Sequence, residues 1–204
     1  MDRSVAGGRP LIDLLDLVLS GGCRLIQLRE KTMAPLDLLP VARQLAQRCR
    51  EVGALFIVND RADIAVAAEA DGVHVGQDDM PAREARRLLR PGMVVGVSTH
   101  DEDQARAAVS EGADYVAVGS IFPTTSRAEF QLVGTDLIRR VRPAIPVPLV
   151  AIGGITVDNA AEVIRAGADG VAVISAICAQ PDPEAATRTL LDRLLSAARS
   201  GRTA

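Results

Sequence analysis

Apolar residues along this chain fall into two alternating patterns. Seven short runs are nearly continuous in hydrophobic, often β-branched residues: 23–30, 55–60, 72–77, 94–99, 115–121, 148–154 and 170–176. Runs of that length, closed off by glycine or polar residues, read as strands buried on both faces of a parallel sheet. Between them lie eight segments with apolar residues every three or four positions, roughly 10–20, 35–52, 61–69, 81–89, 101–111, 134–142, 156–166 and 183–199. That period predicts amphipathic helices. Gly21, Gly53, Gly112, Gly167 and Gly201 follow several of them, where a left-handed residue ends a helix.

Strict alternation of helix and strand predicts an α/β protein with a parallel sheet. One junction is used twice: GADYVAV at 112–118 echoes GADGVAV at 167–173, two units later. No GxGxxG opens the chain, and polar residues gather at most strand ends rather than at one switch point. These features favour a (β/α)8 TIM barrel over an open doubly wound sheet. No linker divides the chain, so residues 1–204 read as one domain. Seven strands against eight helices predict that the first barrel strand is missing or truncated. MDRSVAGGR at 1–9 precedes the first helix without a strand pattern, so the edges at 23–30 and 170–176 are expected to lack a partner.

Composition narrows the function. The net charge is −3, basic residues form no block, and aromatic residues make up 2% of the chain; a nucleic-acid surface is not expected. No apolar run reaches the ~20 residues that span a bilayer, and the start MDRS lacks the basic and apolar character of a signal peptide. Cys23, Cys49 and Cys178 are odd in number and form no CxxC pair, which argues against a zinc site or a disulfide framework. The reading is a cytoplasmic protein acting on small molecules, without a membrane partner.

Barrel chemistry sits at the C-terminal ends of the strands. The first readable strand ends in QLREK, where Gln27, Arg29 and Lys31 share one side at period two. They suit an anion such as a diphosphate; alternatively they are a solvated strand end paired with Glu30. The next two strands end in Asn59-Asp60 and Gln77-Asp78-Asp79. Asp60 and Asp79 lie on neighbouring strand ends, about 4.8 Å apart, close enough to share one Mg²⁺. Either alone suits a helix N-cap; two beside Gln27, Arg29 and Lys31 favour the metal. The strand ending in Ser98-Thr99-His100 offers Ser98 to a phosphate or a heteroaromatic ring, or a hydroxyl to cap the helix that follows. His100 reads as a hydrogen-bonded structural residue, and His74 as core or a support to the site. Residues 123–134 are long for a βα loop, where about 2–6 residues is usual. Thr124, Ser126 and Arg127 make this segment a candidate lid over phosphate. The last two strands end in Gly153-Gly154 and Ile174-Ser175, at the usual barrel phosphate site.

Taken in order, QLREK at 27–31, VND at 58–60, DGVHVGQDD at 71–79, GVSTH at 96–100, FPTTSR at 122–127, IGGIT at 152–156 and ADGVAVISAI at 168–177 resemble the thiamine-phosphate synthase family across nearly the whole chain. The resemblance implies a transferase of thiamine biosynthesis. It condenses 4-amino-5-hydroxymethyl-2-methylpyrimidine diphosphate with 4-methyl-5-(2-phosphoethyl)thiazole, usually as its carboxylate, to give thiamine phosphate and pyrophosphate. It further implies that Gln27, Arg29, Lys31 and Asn59 bind the pyrimidine diphosphate, that Asp60 and Asp79 hold Mg²⁺, and that Ser98 contacts the pyrimidine. Thr124, Ser126, Gly154, Ile174 and Ser175 would take the thiazole phosphate, and Arg127 the diphosphate. Arg29, Lys31, Ser98 and Arg127 would be catalytic. By the same resemblance, pyrophosphate leaves first and the thiazole nitrogen attacks the resulting pyrimidine cation. Such chemistry needs stabilised charge more than a general base. The segment TTSR departs from the family's more common T-x-T-K, keeping hydroxyl and charge while exchanging lysine for the forked arginine. Two alternatives remain: a thiazole tautomerase paralogue, which needs no diphosphate-bound metal, and a non-catalytic phosphate-binding barrel.

Overall fold

In the computed structural model, residues 1–124 and 132–201 are described. Seven strands form one parallel sheet in sequential order: β1 Leu25–Leu28, β2 Leu55–Asn59, β3 Gly72–Val75, β4 Val94–Thr99, β5 Tyr115–Val118, β6 Leu149–Ile152 and β7 Gly170–Ala172. Helices alternate with them: α1 Leu11–Ser20, α2 Pro35–Glu51, α3 Ala62–Ala67, α4 Ala82–Leu88, α5 Glu102–Ser110, α6 Gly134–Val141, α7 Ala160–Arg165, a one-turn α8 Ser175–Cys178, and α9 Pro183–Gly201. Every expected strand is present, but most stop short of their predicted ends, because the polar residues beyond them belong to the loops at the mouth. The predicted strand end at 174–176 is instead the start of α8. The predicted helix at 156–166 begins only at Ala160, since Asn159 Oδ1 accepts from Thr156 N–H at 2.8 Å and holds residues 156–159 as a turn.

Alternation places Val73, Val75, Val95, Val97, Val116, Val118, Leu149 and Ala151 outward against the helices, where they form one buried core. The inner face mixes aliphatic residues such as Ile57, Val150 and Ile152 with Asn59, His74, Ser98 and Tyr115, and lines a cavity of about 680 Å³.

The barrel is open between β1 and β7. Met1 and Asp2 lie beside the end of β1, joined by a single parallel bridge between Asp2 and Arg29. Arg29 N–H donates to Met1 O at 2.8 Å, and the Met1 amino group donates to Gln27 O. The chain then enters a 3-10 turn, Arg3–Val5, capped by Asp2. The first strand is thus reduced to a stub, as the strand count predicted. Outside the seam, α9 packs against α1 and α7. Among the described residues, no helix is long and apolar enough to cross a membrane.

Candidate active site

Gln27, Arg29 and Lys31 all line the cavity. Glu30, between them, turns the other way and holds the loop. Its carboxylate accepts from Thr32 N–H and Oγ–H at 2.8 Å and from Met33 N–H at 3.1 Å, and it pairs with Arg3 at 3.1 Å. Burial works against its charge, but those hydrogen bonds and Arg3 outweigh it and lower its pKa. The alternative in which Glu30 neutralises Arg29 or Lys31 therefore fails. Arg29 pairs instead with the buried carboxylate of Asp2, which Ser4 also supports through its N–H and Oγ–H. Burial again opposes the charge, and Ser4 and Arg29 again prevail, so the Asp2 pKa is lowered. Asp2 was not among the residues the sequence singled out. Its only signal is its place in the MDR tripeptide before the first helix.

Lys31 Nζ donates to Asp60. Asp60 follows β2 in a left-handed conformation, φ +63°, which is uncommon for a non-glycine residue and clusters at functional sites. Its N–H donates to His74 O at 2.7 Å. Its carboxyl shares a hydrogen bond with Asp79, whose Oδ2 accepts from Gly76 N–H at 2.8 Å. Burial raises the Asp60 pKa, Asp79 adds to the rise, and Lys31 opposes it. Neither acid caps a helix: the residues at those positions of α3 and α4 are Arg61 and Pro81, without side-chain capping bonds. The two carboxyls are held against each other, with Asn59 in the same wall.

On the inner face, His74 of β3, Gly96 of β4 and Tyr115 of β5 are direct lateral neighbours. The Tyr115 ring lies across Gly96, so a Cβ there would come within 2.0 Å of it. Its hydroxyl reaches His74 Nδ1 at 2.9 Å, and His74 Nε2 reaches Ser98 Oγ at 2.8 Å. The Tyr115 hydroxyl also takes a hydrogen bond from the Gln27 side chain. Burial pushes the His74 pKa down to about 4, opposed by Asp79, and pushes that of Tyr115 up, opposed by Gln27; both are neutral at physiological pH. Ser98 caps nothing. Asp101 caps α5 by accepting from Gln104 N–H at 2.7 Å, and Thr99 donates to Ala117 O at 3.1 Å. His100 is hydrogen-bonded as expected, Nδ1 to Gly119 O at 2.6 Å. Tyr115 was overlooked in the sequence; a glycine inside the β-branched run 94–99 was its signal.

The far wall holds Thr124, Gly153, Gly154, Ile174 and Ser175. Gly154 has φ +62°, and a Cβ there would lie 2.4 Å from Pro123 O, so this turn packs backbone on backbone. Asn159 Nδ2 ties it down by donating to Gly154 O at 3.0 Å. Ser126 and Arg127, and with them most of the candidate lid, lie outside the described residues. Among the described residues no three metal-ligating side chains cluster, which leaves the Asp60–Asp79 pair as the candidate cation site. A second cleft, between α2 and α3, is lined by Arg43 and Arg50. They donate to Ala67 O and Glu69 O and so complete the end of α3.

Comparison with known proteins fits this geometry. A family model described as thiamine monophosphate synthase matches residues 1–177. The chain is 50% identical over 187 residues to a thiamine-phosphate synthase of Moorella thermoacetica, covering 91% of this chain and 89% of that protein. It is 47% identical over 202 residues to one from Methanoculleus marisnigri, covering 98% and 96%. The solved structure of a thiamine phosphate pyrophosphorylase from Pyrococcus furiosus superposes with a TM-score of 0.88 at 37% identity, covering 96% of this chain and 93% of that one. A 3-hexulose-6-phosphate synthase shares the fold alone, with a TM-score of 0.70 at 22% identity. With acid pair, cation strand and glycine turn gathered at one mouth and the likeness running through nearly all of its length, the chain belongs to the thiamine monophosphate synthase family.

Proposed function

We propose that this protein is a thiamine-phosphate synthase. It joins the pyrimidine diphosphate to the thiazole phosphate, releases pyrophosphate, and uses Mg²⁺. The observation that carries the reading is the Asp60–Asp79 carboxyl pair set beside Lys31 and Arg29 at the barrel mouth. Two carboxyls held against each other, each raising the cost of the other's charge, suit a divalent cation between them. Two are also the number Mg²⁺ commonly takes from a protein when phosphates and waters complete its shell. When bound, Mg²⁺ supplies positive charge against the departing pyrophosphate.

The chain's own residues do the rest. Arg29, held by Asp2, and Lys31, carried on the loop that Glu30 anchors, spread cationic charge over the diphosphate as its negative charge builds. Asn59 and Gln27 orient it, and Ser98 meets the pyrimidine. Thr124, Gly154, Ile174 and Ser175 hold the thiazole phosphate across the cavity, so the thiazole nitrogen faces the carbon that loses pyrophosphate. Ser126 and Arg127, outside the described residues, are assigned to the thiazole phosphate and the diphosphate by the family resemblance alone. No general base is required, and neither histidine is assigned one.

The direct test is turnover of the two substrates to thiamine phosphate with pyrophosphate release. A tautomerase would act on the thiazole alone, and a binding barrel on neither. Asp60→Asn and Asp79→Asn should each lower turnover at limiting Mg²⁺ by about 10²-fold and weaken Mn²⁺ binding measured by calorimetry. Stability should change little, since neither side chain caps a helix. Normal turnover and normal Mn²⁺ affinity in either variant would remove that carboxylate from the metal site.

A further inference from the structure

The proposed chemistry leaves Tyr115 and His74 unexplained, two side chains that join Gln27 to Ser98 in a line across the barrel interior. The assembly occupies space the sheet has cleared for it. His74, Gly96 and Tyr115 stand in register on three adjacent strands, and only a residue without a side chain at 96 lets the tyrosine ring pass over β4 to reach β3. Its members come from four strands, and the His74–Tyr115 bond alone joins residues 41 positions apart in the chain.

We propose that this line is a directed hydrogen-bond relay that commits Ser98 to donating its hydroxyl proton into the cavity, making Tyr115 and His74 positioning residues for a heteroaromatic ring with an acceptor nitrogen. The inference rests on the reading of Ser98 as a pyrimidine contact. Its polarity follows from proton counting. The amide of Gln27 bonds to Tyr115 and lines the same cavity as Arg29 and Lys31. Its carbonyl oxygen, the negative end of the amide dipole, is favoured toward those cations, which turns its N–H₂ to the tyrosine oxygen. Tyr115 then has one proton to give, and His74 Nδ1 stands at 2.9 Å to accept it. A neutral imidazole that accepts at Nδ1 carries its proton on Nε2. That proton goes to Ser98 Oγ at 2.8 Å. The serine oxygen is thereby satisfied as an acceptor, and its own proton points to whatever occupies the cavity. An unprotonated ring nitrogen fits that proton; a ring N–H in its place would set two donors against each other.

Two measurements decide the proposal. In ¹⁵N NMR of the wild-type protein, His74, one of two histidines in the chain, should carry its proton on Nε2 with Nδ1 in the unprotonated range. Protonation at Nδ1, or an imidazolium at neutral pH, overturns the relay. In steady-state kinetics, Tyr115→Phe keeps the ring over Gly96 and removes only the hydroxyl. It should raise the KM for the pyrimidine diphosphate about tenfold, the loss of about one hydrogen bond, and leave the KM for the thiazole phosphate in place. In a Ser98→Ala background the same substitution should change the pyrimidine KM no further. An equal effect in both backgrounds, or an equal rise for the thiazole, shows that Tyr115 does not act through Ser98. Should the wild-type protein form no thiamine phosphate, the functional reading falls, and the histidine tautomer still decides the relay.

Discussion

Burial sorts the three cysteines. Cys49, on the inner face of α2, is fully enclosed, and desolvation pushes its thiol up to about 12. Cys178 is buried, whereas Cys23 is partly exposed. Because the thiolate is the reactive form, a raised pKa and burial both suppress reaction at Cys49. At pH 8 an aromatic disulfide reagent should label one thiol in the native protein, Cys23, and three after denaturation. Rapid native labelling of Cys49 would show that α2 opens far more readily than its packing indicates. Legibility at this scale follows a similar division. Gln27, Arg29, Asp60 and Asp79 stood out in the sequence because each follows a recognisable strand, so local pattern alone places it at the mouth. Asp2 and Tyr115 could not stand out that way. Asp2 matters because Arg29 comes to it across 27 positions, and Tyr115 because Gly96 leaves room for its ring. Both depend on which strands lie side by side, which no local window contains.

At the scale of elements, period and glycine placement locate eight of the nine α-helices among the described residues; α8, a single turn, is too short to carry a period. The glycines divide by physical cause. Gly53, Gly112 and Gly167 have φ of +67°, +96° and +111°, the left-handed helix ends that the sequence suggests. Gly21 does not. Its φ is −67°, and Gly22 behind it turns left-handed instead. Gly21 is needed for space: a Cβ would lie 2.6 Å from Thr187 Cβ and 2.7 Å from Glu184 O, on α9. The buried Thr187 cannot yield easily, since its hydroxyl donates to Pro183 O at 2.7 Å. Gly21→Ala should therefore force α1 and α9 apart and cost about 1–3 kcal/mol, the usual range for overpacking, despite the higher helix propensity of alanine. Urea denaturation measures this. Unchanged or increased stability would mean that α9 slides to accommodate the methyl group.

At the scale of the whole molecule, the open seam between β1 and β7 organises the remaining observations. Met1 already has strand register beside β1, accepting from Arg29 and donating to Gln27, but it does so with a buried amino group whose pKa is lowered by that burial. Leu190, Leu191 and Leu194 of α9 and Val171 and Val173 around β7 border the same cavity. An apolar strand joined to Met1 would turn that amino group into an amide, keep its bond to Gln27 and remove a buried ionisable group. It would also cover aliphatic surface at about 1.5–3 kcal/mol per large side chain, against about 1–2 kcal/mol per residue for ordering the backbone. The balance is favourable for a segment of alternating valine and isoleucine and unfavourable for glycine and serine. Adding five such β-branched residues before Met1 should raise the melting temperature by about 5 °C or more, since each kcal/mol shifts a chain of this size by about 2–4 °C. A glycine-serine extension of equal length should not. The pyrimidine KM should fall with the β-branched extension, because Asp2 and Gln27, which orient Arg29 and Tyr115, are both tied to the stub. Equal melting temperatures for the two extensions would show that the seam does not take a strand, and that α9 alone closes this side of the barrel.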